Sequence, residues 1–398
     1  MPRRRVLLLP NTNTLSHVTR AFAVAEWFES EGYETHIGVA GECLAWASQF
    51  HARCHQIHEL WEPSGIAFPC LQWFSDREHI ERCVQSHERL IQETRPQLVC
   101  GIFNFVSAAS HGSIPLLSIN GACMLPIFSG VLGFDEKDSI ERSEQRQILR
   151  HFWCYAARAF YPALRKRDLP LIQNATELLV GDTTLIYEIA EICGIDELPE
   201  HYQMVGPINW NGWERLGEDC SWEKTDQVRT LHLNFGTLPC HEMRARVIQE
   251  CLRSGARLLI TSGPRGTRED SDFVCCRPFF RPSSAARLAD AVICTGGVGV
   301  CYANLVQALP SLVIPTQPEQ ATNGHNLERA GCGRMLWNSE VFLGDSNAYT
   351  SKRDYGLLDN LLPQLFAPRV CMRLRTIQQR LTDCDTRGHV VAAARALI

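Results

Sequence analysis

Short apolar runs alternate with stretches of helical period along the chain. In the first half, RRVLLLP, ETHIGVA, QLVCGIF and PLLSING each read as a strand. Between the first two, HVTRAFAVAEWFESEG carries apolar residues at 18, 21, 22, 25 and 28. That spacing predicts a helix with one buried face, ended by Gly32. The segment 205–229, VGPINWNGWERLGEDCSWEKTDQVR, breaks the periodicity with proline, glycine, tryptophan and charge, and reads as a linker. A second series follows: TLHLNFG, RLLITSG, DFVCCRPFF, AVICTGG and SLVIPT read as strands, with helical patterns between most of them. The last stretch, 368–398, reads as one or two amphipathic helices with a break near Gly388. Strands alternating with helices predict parallel α/β sheets.

A length of 398 residues exceeds one ordinary core, so two domains are expected. The expected layout is an N-terminal domain over 1–206, a linker over 207–229, a C-terminal domain over 230–385, and a helix over 386–398 able to pack back on the first domain. The net charge is −5 with no basic stripe, which argues against nucleic acid as a partner. No apolar run approaches the roughly 20 residues that span a membrane. The 18 cysteines form no C-x-x-C pair and no zinc spacing. They are expected to be reduced, mostly buried thiols of a cytoplasmic protein, with Cys275 and Cys276 inside a strand.

The first strand hands over to the first helix through TNTLSHVTRAF. A ligand-binding α/β protein often grips phosphate there with glycines, and this loop has none. It offers Asn11, Asn13, Ser16 and then His17. The sharper signal lies in the second half, where AVIC runs into Thr295-Gly296-Gly297-Val298-Gly299 before a helix. Paired glycines bring backbone N–H groups close to a ligand, and a helix N-terminus adds partial positive charge suited to a diphosphate. After SLVIPT come Gln317, Pro318, Glu319, Gln320 and Asn323. An acid beside an amide suits vicinal sugar hydroxyls; an ordinary polar helix start fits equally well. Residues 60–75 and 121–160 are rich in aromatic and aliphatic residues, and either line an acceptor pocket or pack as loops on the core.

These segments, in this order, resemble the GT-B glycosyltransferases, specifically the UDP-glycosyltransferase and macrolide-glycosyltransferase group, with the peptidoglycan N-acetylglucosaminyltransferase as a cousin. The resemblance covers most of the chain and is strongest over 231–333. HVTRAFAVAEWFESEGYETHIGVA, VGPINW, LNFGT, RPFFRPSSAARLADAVICTGGVGV and IPTQPEQATNGHNLERAGCG carry it. It implies an α/β GT-B fold, two Rossmann-like parallel domains facing across a cleft. It implies an inverting, metal-independent transfer of a hexosyl group from a UDP- or TDP-sugar to a small-molecule or lipophilic acceptor. The nucleotide sugar is then a co-substrate, and no cofactor is needed.

The resemblance also assigns roles. His17 matches the base that deprotonates the acceptor hydroxyl. Gly236 and Thr237 match a turn at the donor phosphates, and Phe280 an aromatic stacked on the nucleobase, with Ser283 nearby. Thr295, Gly296, Gly297, Gly299 and Val300 match the diphosphate loop; Glu319 and Gln320 match the pair that reads the sugar. Four positions depart from the pattern. Gly101 stands where an Asp usually orients the histidine, although Asn104 is close. Thr295 replaces a histidine, Val300 a hydroxyl residue, and Ala303 an acid that grips ribose, with Asn304 beside it. These departures leave two alternatives: a nucleotide-sugar hydrolase of the nonulosonate-pathway type, whose histidine is followed by a V-x-R pattern like SHVTR, or a non-catalytic GT-B partner protein.

Other groups have plain readings. Asp383-Cys384-Asp385 is expected to be a solvated helix face or break. His51, His55 and His58 are expected at the surface. Arg265 either touches phosphate or faces water. Nothing in the spacing gives His111 a role.

Overall fold

A computed structural model of the chain describes residues 3–41, 43–60, 74–127, 140–195, 197–236, 241–263, 266–336 and 358–398. It divides into two units: the first runs to Trp210 and takes back Asp385–Ile398, and the second is Asn211–Cys384. Thr237, Arg265 and most of the aromatic stretch 60–75 lie outside the described residues.

The first unit is built on β1 (Arg5–Pro10), β2 (Glu34–Val39), β3 (Cys54–Gln56), β4 (Leu98–Ile102), β5 (Leu116–Asn120), β6 (Thr183–Ile186) and β7 (Tyr202–Met204). Their order is β3-β2-β1-β4-β5-β6-β7, and every pair is parallel. The helices are α1 (Leu15–Ser30), α2 (Cys43–Ala47), α3 (Arg77–Thr94), α4 (Ser107–Ser110), α5 (Ile140–Arg165) and α6 (Ala190–Cys193). In β1, Val6, Leu7, Leu8 and Leu9 are all fully buried. Covered on both faces, a parallel strand is apolar throughout, which is why VLLLP is a continuous run. The residues at 18, 21, 22, 25 and 28 are buried in α1, as their spacing predicts, but so are Thr19, Arg20, Ala23 and Val24, so the helix is covered on more than one face.

The second unit repeats the plan with α7 (Gly212–Leu216), β8 (Thr230–Asn234), α8 (His241–Arg253), β9 (Arg257–Thr261), β10 (Glu269–Asp270), β11 (Val274–Arg277), α9 (Pro282–Leu288), β12 (Ala291–Cys294), α10 (Val298–Val306), β13 (Ser311–Val313), α11 (Pro318–Arg329), β14 (Gly333–Met335), α12 (Leu358–Leu365) and α13 (Pro368–Thr382). Strand order is β10-β11-β9-β8-β12-β13-β14, parallel except for the short β10 at the edge. Its core joins Leu231, Leu233, Leu258, Ile260, Ile293 and Leu312 from the sheet to Met243 and Val247 of α8.

The final helix, α14 (Thr386–Leu397), belongs to the first unit and packs on α1, β5 and β6. It buries Val390, Val391 and Ala394, while Arg387 and Arg395 both reach Glu31 at the end of α1. The break falls at Asp383–Asp385 and not near Gly388. Asp385 accepts a hydrogen bond from the Gly388 N–H at 2.9 Å, so Gly388 lies in the first turn of α14.

In open parallel sheets ligands bind beyond the carboxyl ends of the strands, where the strand order reverses. The reversal lies between β1 and β4 in the first unit, and between β8 and β12 in the second.

Candidate functional site

In the first unit, β1 ends at Pro10 and the chain crosses to α1 through Asn11–Thr14. Three contacts hold this loop without glycine. The Asn11 N–H donates to the Ile102 carbonyl of β4 at 2.9 Å. The Asn11 side-chain oxygen accepts from the Asn13 N–H at 3.0 Å. The Glu59 carboxylate accepts from both the N–H (3.1 Å) and the hydroxyl (3.3 Å) of Thr12. Glu59 also accepts from the Leu60 N–H. Burial pushes the Glu59 carboxyl up to about 7 against the pull of these bonds.

His17 lies in the first turn of α1, partly buried. Its ring stacks on Phe103, with centroids 4.9 Å apart and planes 19° from parallel. Phe103 follows β4 directly and holds φ +49°, in the left-handed region. A bulky residue rarely adopts that conformation, which costs about 1–3 kcal/mol and marks functional sites. Arg20, one turn on, places Nη1 3.3 Å from His17 Nδ1. Burial, and then the Arg20 charge, hold the His17 pKa well below its ordinary 6.5.

No carboxylate takes the orienting place beside this histidine among the described residues. Gly101 is packed under Ser107, whose Oγ would lie 3.0 Å from an added Cβ. Asn104 is turned away: its side-chain oxygen accepts from the N–H groups of Val106 (2.9 Å) and Ser107 (3.0 Å) at the start of α4. The stacking of Phe103 and the guanidinium of Arg20 orient His17 instead. The sequence reading missed both, because nothing in the spacing brings Phe103 to α1 or turns Arg20 inward.

In the second unit the candidate donor residues gather beyond β8, β12 and β13. Gly236 follows β8 with φ +67° and no neighbour near an added Cβ. Gly296 follows β12 with φ +91°; a Cβ there would meet Val313 Cγ1 at 2.5 Å and the Gln320 carbonyl oxygen at 2.8 Å. Only glycine fits, on conformation and on space. Gly297 caps α10, with Gly299 and Val300 in its first turn, where backbone N–H groups lack intrahelical acceptors. Asn323 ties the loop to α11: its side-chain amide donates to the Gly296 carbonyl and to Glu319 Oε1, both at 2.8 Å. The sequence reading noted Asn323 without this role. Gln320 turns inward, its side-chain oxygen accepting from the Thr316 N–H (2.9 Å) and hydroxyl (3.0 Å). Thr295 is buried at the end of β12.

Phe280 is buried with Leu259, Cys275 and Leu288, its ring edge toward His232 at 5.7 Å. The adjacent Phe279 is the partly exposed ring, 4.7 Å from Trp213. Ser283 gives its N–H (2.9 Å) and hydroxyl (2.8 Å) to Glu214. Asn304 donates to Ser311 inside the core.

Of the three clustered histidines only His58 is exposed. His51 and His55 were expected at the surface and are not fully there. Pairing of β3 with β2 sets them against the sheet: His51 Nε2 lies 2.9 Å from Thr35 Oγ1, and His55 Nε2 lies 2.9 Å from His36 Nδ1. Among the described residues no group of three or more His, Cys, Asp or Glu side chains could hold a metal ion, and no helix is long and apolar enough to cross a membrane. The described cysteines are free and mostly buried, Cys275 and Cys276 within β11.

No family model matches the chain. Among curated proteins it is similar to a PGL/p-HBAD biosynthesis rhamnosyltransferase of Mycobacterium bovis (strain BCG / Pasteur 1173P2), 27% identical over 357 residues that cover 84% of this chain and 77% of the relative. Among solved structures it is similar to the glycosyltransferase of kitacinnamycin, with a TM-score of 0.71 and 13% identity over the whole of both chains. It is also similar to the spinosyn rhamnosyltransferase SpnG, with a TM-score of 0.68 and 16% identity over 98% of this chain and 100% of that one. SpnG is known with thymidine diphosphate and with spinosyn aglycone. The fold is that of these GT-B glycosyltransferases.

Proposed function

We infer that this glycosyltransferase of GT-B fold moves a hexosyl group from a TDP- or UDP-sugar to a hydroxyl of a small lipophilic acceptor, with inversion at the anomeric carbon. The observation that carries the reading is the loop at Gly296. A residue that only glycine can fill is braced by Asn323 and opens onto the first turn of α10. Such a turn binds anions through backbone N–H groups, each worth about 1.5–3 kcal/mol to a charged partner. The names of the relatives favour a deoxyhexose such as rhamnose, and the thymidine diphosphate bound by SpnG favours TDP.

In this reading Gly236, Thr237, Thr295, Gly296, Gly297, Gly299 and Val300 hold the diphosphate. Phe280 and Ser283 lie at the nucleobase end, with Glu319 and Gln320 at the sugar end. Because Gln320 Oε1 is engaged by Thr316, the Gln320 side chain offers a sugar hydroxyl its amide nitrogen, beside the carboxylate of Glu319. His17 serves as the base. Its depressed pKa keeps the ring neutral at pH 7, able to accept a proton, at the cost of base strength. The acceptor oxygen attacks the anomeric carbon as its proton passes to His17. The bond from that carbon to the phosphate oxygen breaks, and the nucleoside diphosphate departs with the electron pair. Backbone N–H groups meet the developing charge, so no metal is required, and full turnover is expected in EDTA. The free thiols suit a reducing compartment, and we place the protein in the cytoplasm.

The test is incubation with TDP- and UDP-hexoses and a panel of lipophilic alcohols, read by mass spectrometry. A product heavier by one hexosyl or deoxyhexosyl group, matched by released nucleoside diphosphate, is expected. Free sugar formed at the same rate without acceptor would instead mean a hydrolase.

A further inference from the structure

Arg20 is 4% exposed, and among the described residues no carboxylate pairs with it. A buried charge of this kind normally has an ionic partner, because removing it from water is costly unless the charge is paired. Glu188, which follows Tyr187 in sequence, accepts from the Ala122 N–H at 2.6 Å. Arg20 lies over the Tyr187 ring, 4.0 Å from its centroid, and Nη1 is shared between the Ser16 carbonyl and His17 Nδ1. Nε and Nη2 make no hydrogen bond among the described residues. The guanidinium stands beyond the carboxyl ends of β1, β4 and β6, since His17 stacks on Phe103 after β4 and Tyr187 follows β6.

One chemical consequence is immediate. A guanidinium only donates, so His17 Nδ1 must accept, and the neutral ring carries its proton on Nε2. A ring in that state has no lone pair on Nε2 to serve as base.

We propose that Arg20 is a binding position for an oxyanion of a bound ligand, and that the anion completes the base. Fork-shaped recognition of a carboxylate or phosphate is what a guanidinium with free Nε and Nη2 does best. An anion there draws Arg20 off Nδ1 and accepts from Nδ1–H, so the proton leaves Nε2 through solvent exchange and Nε2 gains the lone pair. The ligand then supplies the negative charge that none of the described residues places beside His17. The two sources are a carboxylate on the acceptor near its reacting hydroxyl and a phosphate of the donor. The flanking rings of Phe103 and Tyr187 favour the acceptor, as an aromatic or otherwise apolar acid. This deepens the transferase reading and rests on it for the role of His17.

The experiment follows the His17 tautomer by long-range nitrogen–proton spectra of imidazole-labelled protein, with His17→Gln identifying the signal. The probes are benzoate, its neutral counterpart benzamide, and TDP. The expected result is an Nε2–H ring in the free protein that converts to Nδ1–H with benzoate or with TDP, at about millimolar half-saturation for benzoate, and not with benzamide. Conversion by benzoate assigns the site to the acceptor, and conversion by TDP alone to the donor. Arg20→Met should abolish the response and Arg20→Lys should keep part of it. A wild-type ring indifferent to both anions overturns the proposal, as does an equal response in Arg20→Met. TDP binding, read separately by thermal shift, distinguishes this failure from failure of the transferase reading. An indifferent ring in a protein that TDP stabilises sinks the anion site alone. A responsive ring in a protein that no nucleotide stabilises leaves the anion site standing and sinks the donor site.

Discussion

The two strand-end loops solve different problems with different parts of the residue. Beyond β12, the loop at 295–299 works through its backbone. Gly296 takes a conformation and a space closed to other residues, and the donors on offer are N–H groups. Beyond β1, the loop at 11–17 works through side chains. His17 is set by an aromatic stack, a guanidinium and a backbone pinned by Glu59. A backbone site tolerates changes of side chain, so Thr295 and Val300 can depart from the pattern without removing the N–H groups. A side-chain site cannot: burial, and then the Arg20 charge, hold the His17 pKa down, and Gly101 supplies no acid to offset them.

The contrast predicts a clean separation of defects. His17→Ala should lower turnover by about 10²–10⁴-fold, the usual contribution of a positioned base. The thermal shift with TDP should be nearly unchanged, because the residues proposed to hold the nucleotide belong to the other unit and the acceptor is the favoured source of an anion at Arg20. Loss of TDP binding in this variant would break the contrast.

Gly296→Ala should do the reverse. Its Cβ meets the Gln320 carbonyl at 2.8 Å, and that backbone cannot rotate away. A stability loss of about 1–3 kcal/mol is expected from the forced backbone, with nucleotide affinity down at least about tenfold, near 1.4 kcal/mol. Normal TDP affinity in the folded variant would remove the loop from the donor site.

How much of this was legible in the sequence follows the same division. The buried positions 18, 21, 22, 25 and 28 of α1 were legible because five apolar residues keep the helical period, whereas the burial of Thr19, Arg20, Ala23 and Val24 was not. The main strands of both sheets were read because buried parallel strands are apolar runs. Strands β3 (CHQ), β6 (TTLI), β7 (YQM), β10 (ED) and β14 (GRM) were not, since they are short and carry polar residues, whereas the equally short β11, β12 and β13 lie in apolar runs. The helix break was put at Gly388 because glycine is a breaker, whereas the Asp385 side chain restarts the helix there. His17 and the glycines at 296 and 297 were legible as residue types at strand ends. Arg20, Phe103 and Glu59 were not, because their roles come from contacts between elements that no spacing encodes.

A smaller effect sharpens the side-chain half. The Glu59 carboxyl is raised from its ordinary 4.5 to about 7, so the folded state holds a proton the unfolded chain releases. Stability from this group is therefore fully present below pH 4.5 and is lost as pH rises through 7. The loss is of order 3 kcal/mol for a shift of this size. Denaturant melts at pH 5 and pH 8 should show it, and Glu59→Gln should flatten the difference. The pH dependence of kcat/KM carries the sign for His17. With its pKa lowered, the acid limb should fall well below 6.5, and a limb at or above 6.5 would contradict the buried, Arg20-facing ring. The smallest change is Val300→Ser, which returns a hydroxyl to the first turn of α10. TDP affinity should rise by about tenfold or less, as one added neutral hydrogen bond allows.

The most direct measurement is thermal unfolding of the wild-type protein against TDP, UDP, GDP, ADP and CDP. A ligand at a hundred times its Kd adds about 2.7 kcal/mol to stability. A shift selective for TDP or UDP is the predicted result, and it would make the loop after β12 a working donor site. No shift with any nucleotide would contradict it, and would leave a GT-B fold that has lost its donor.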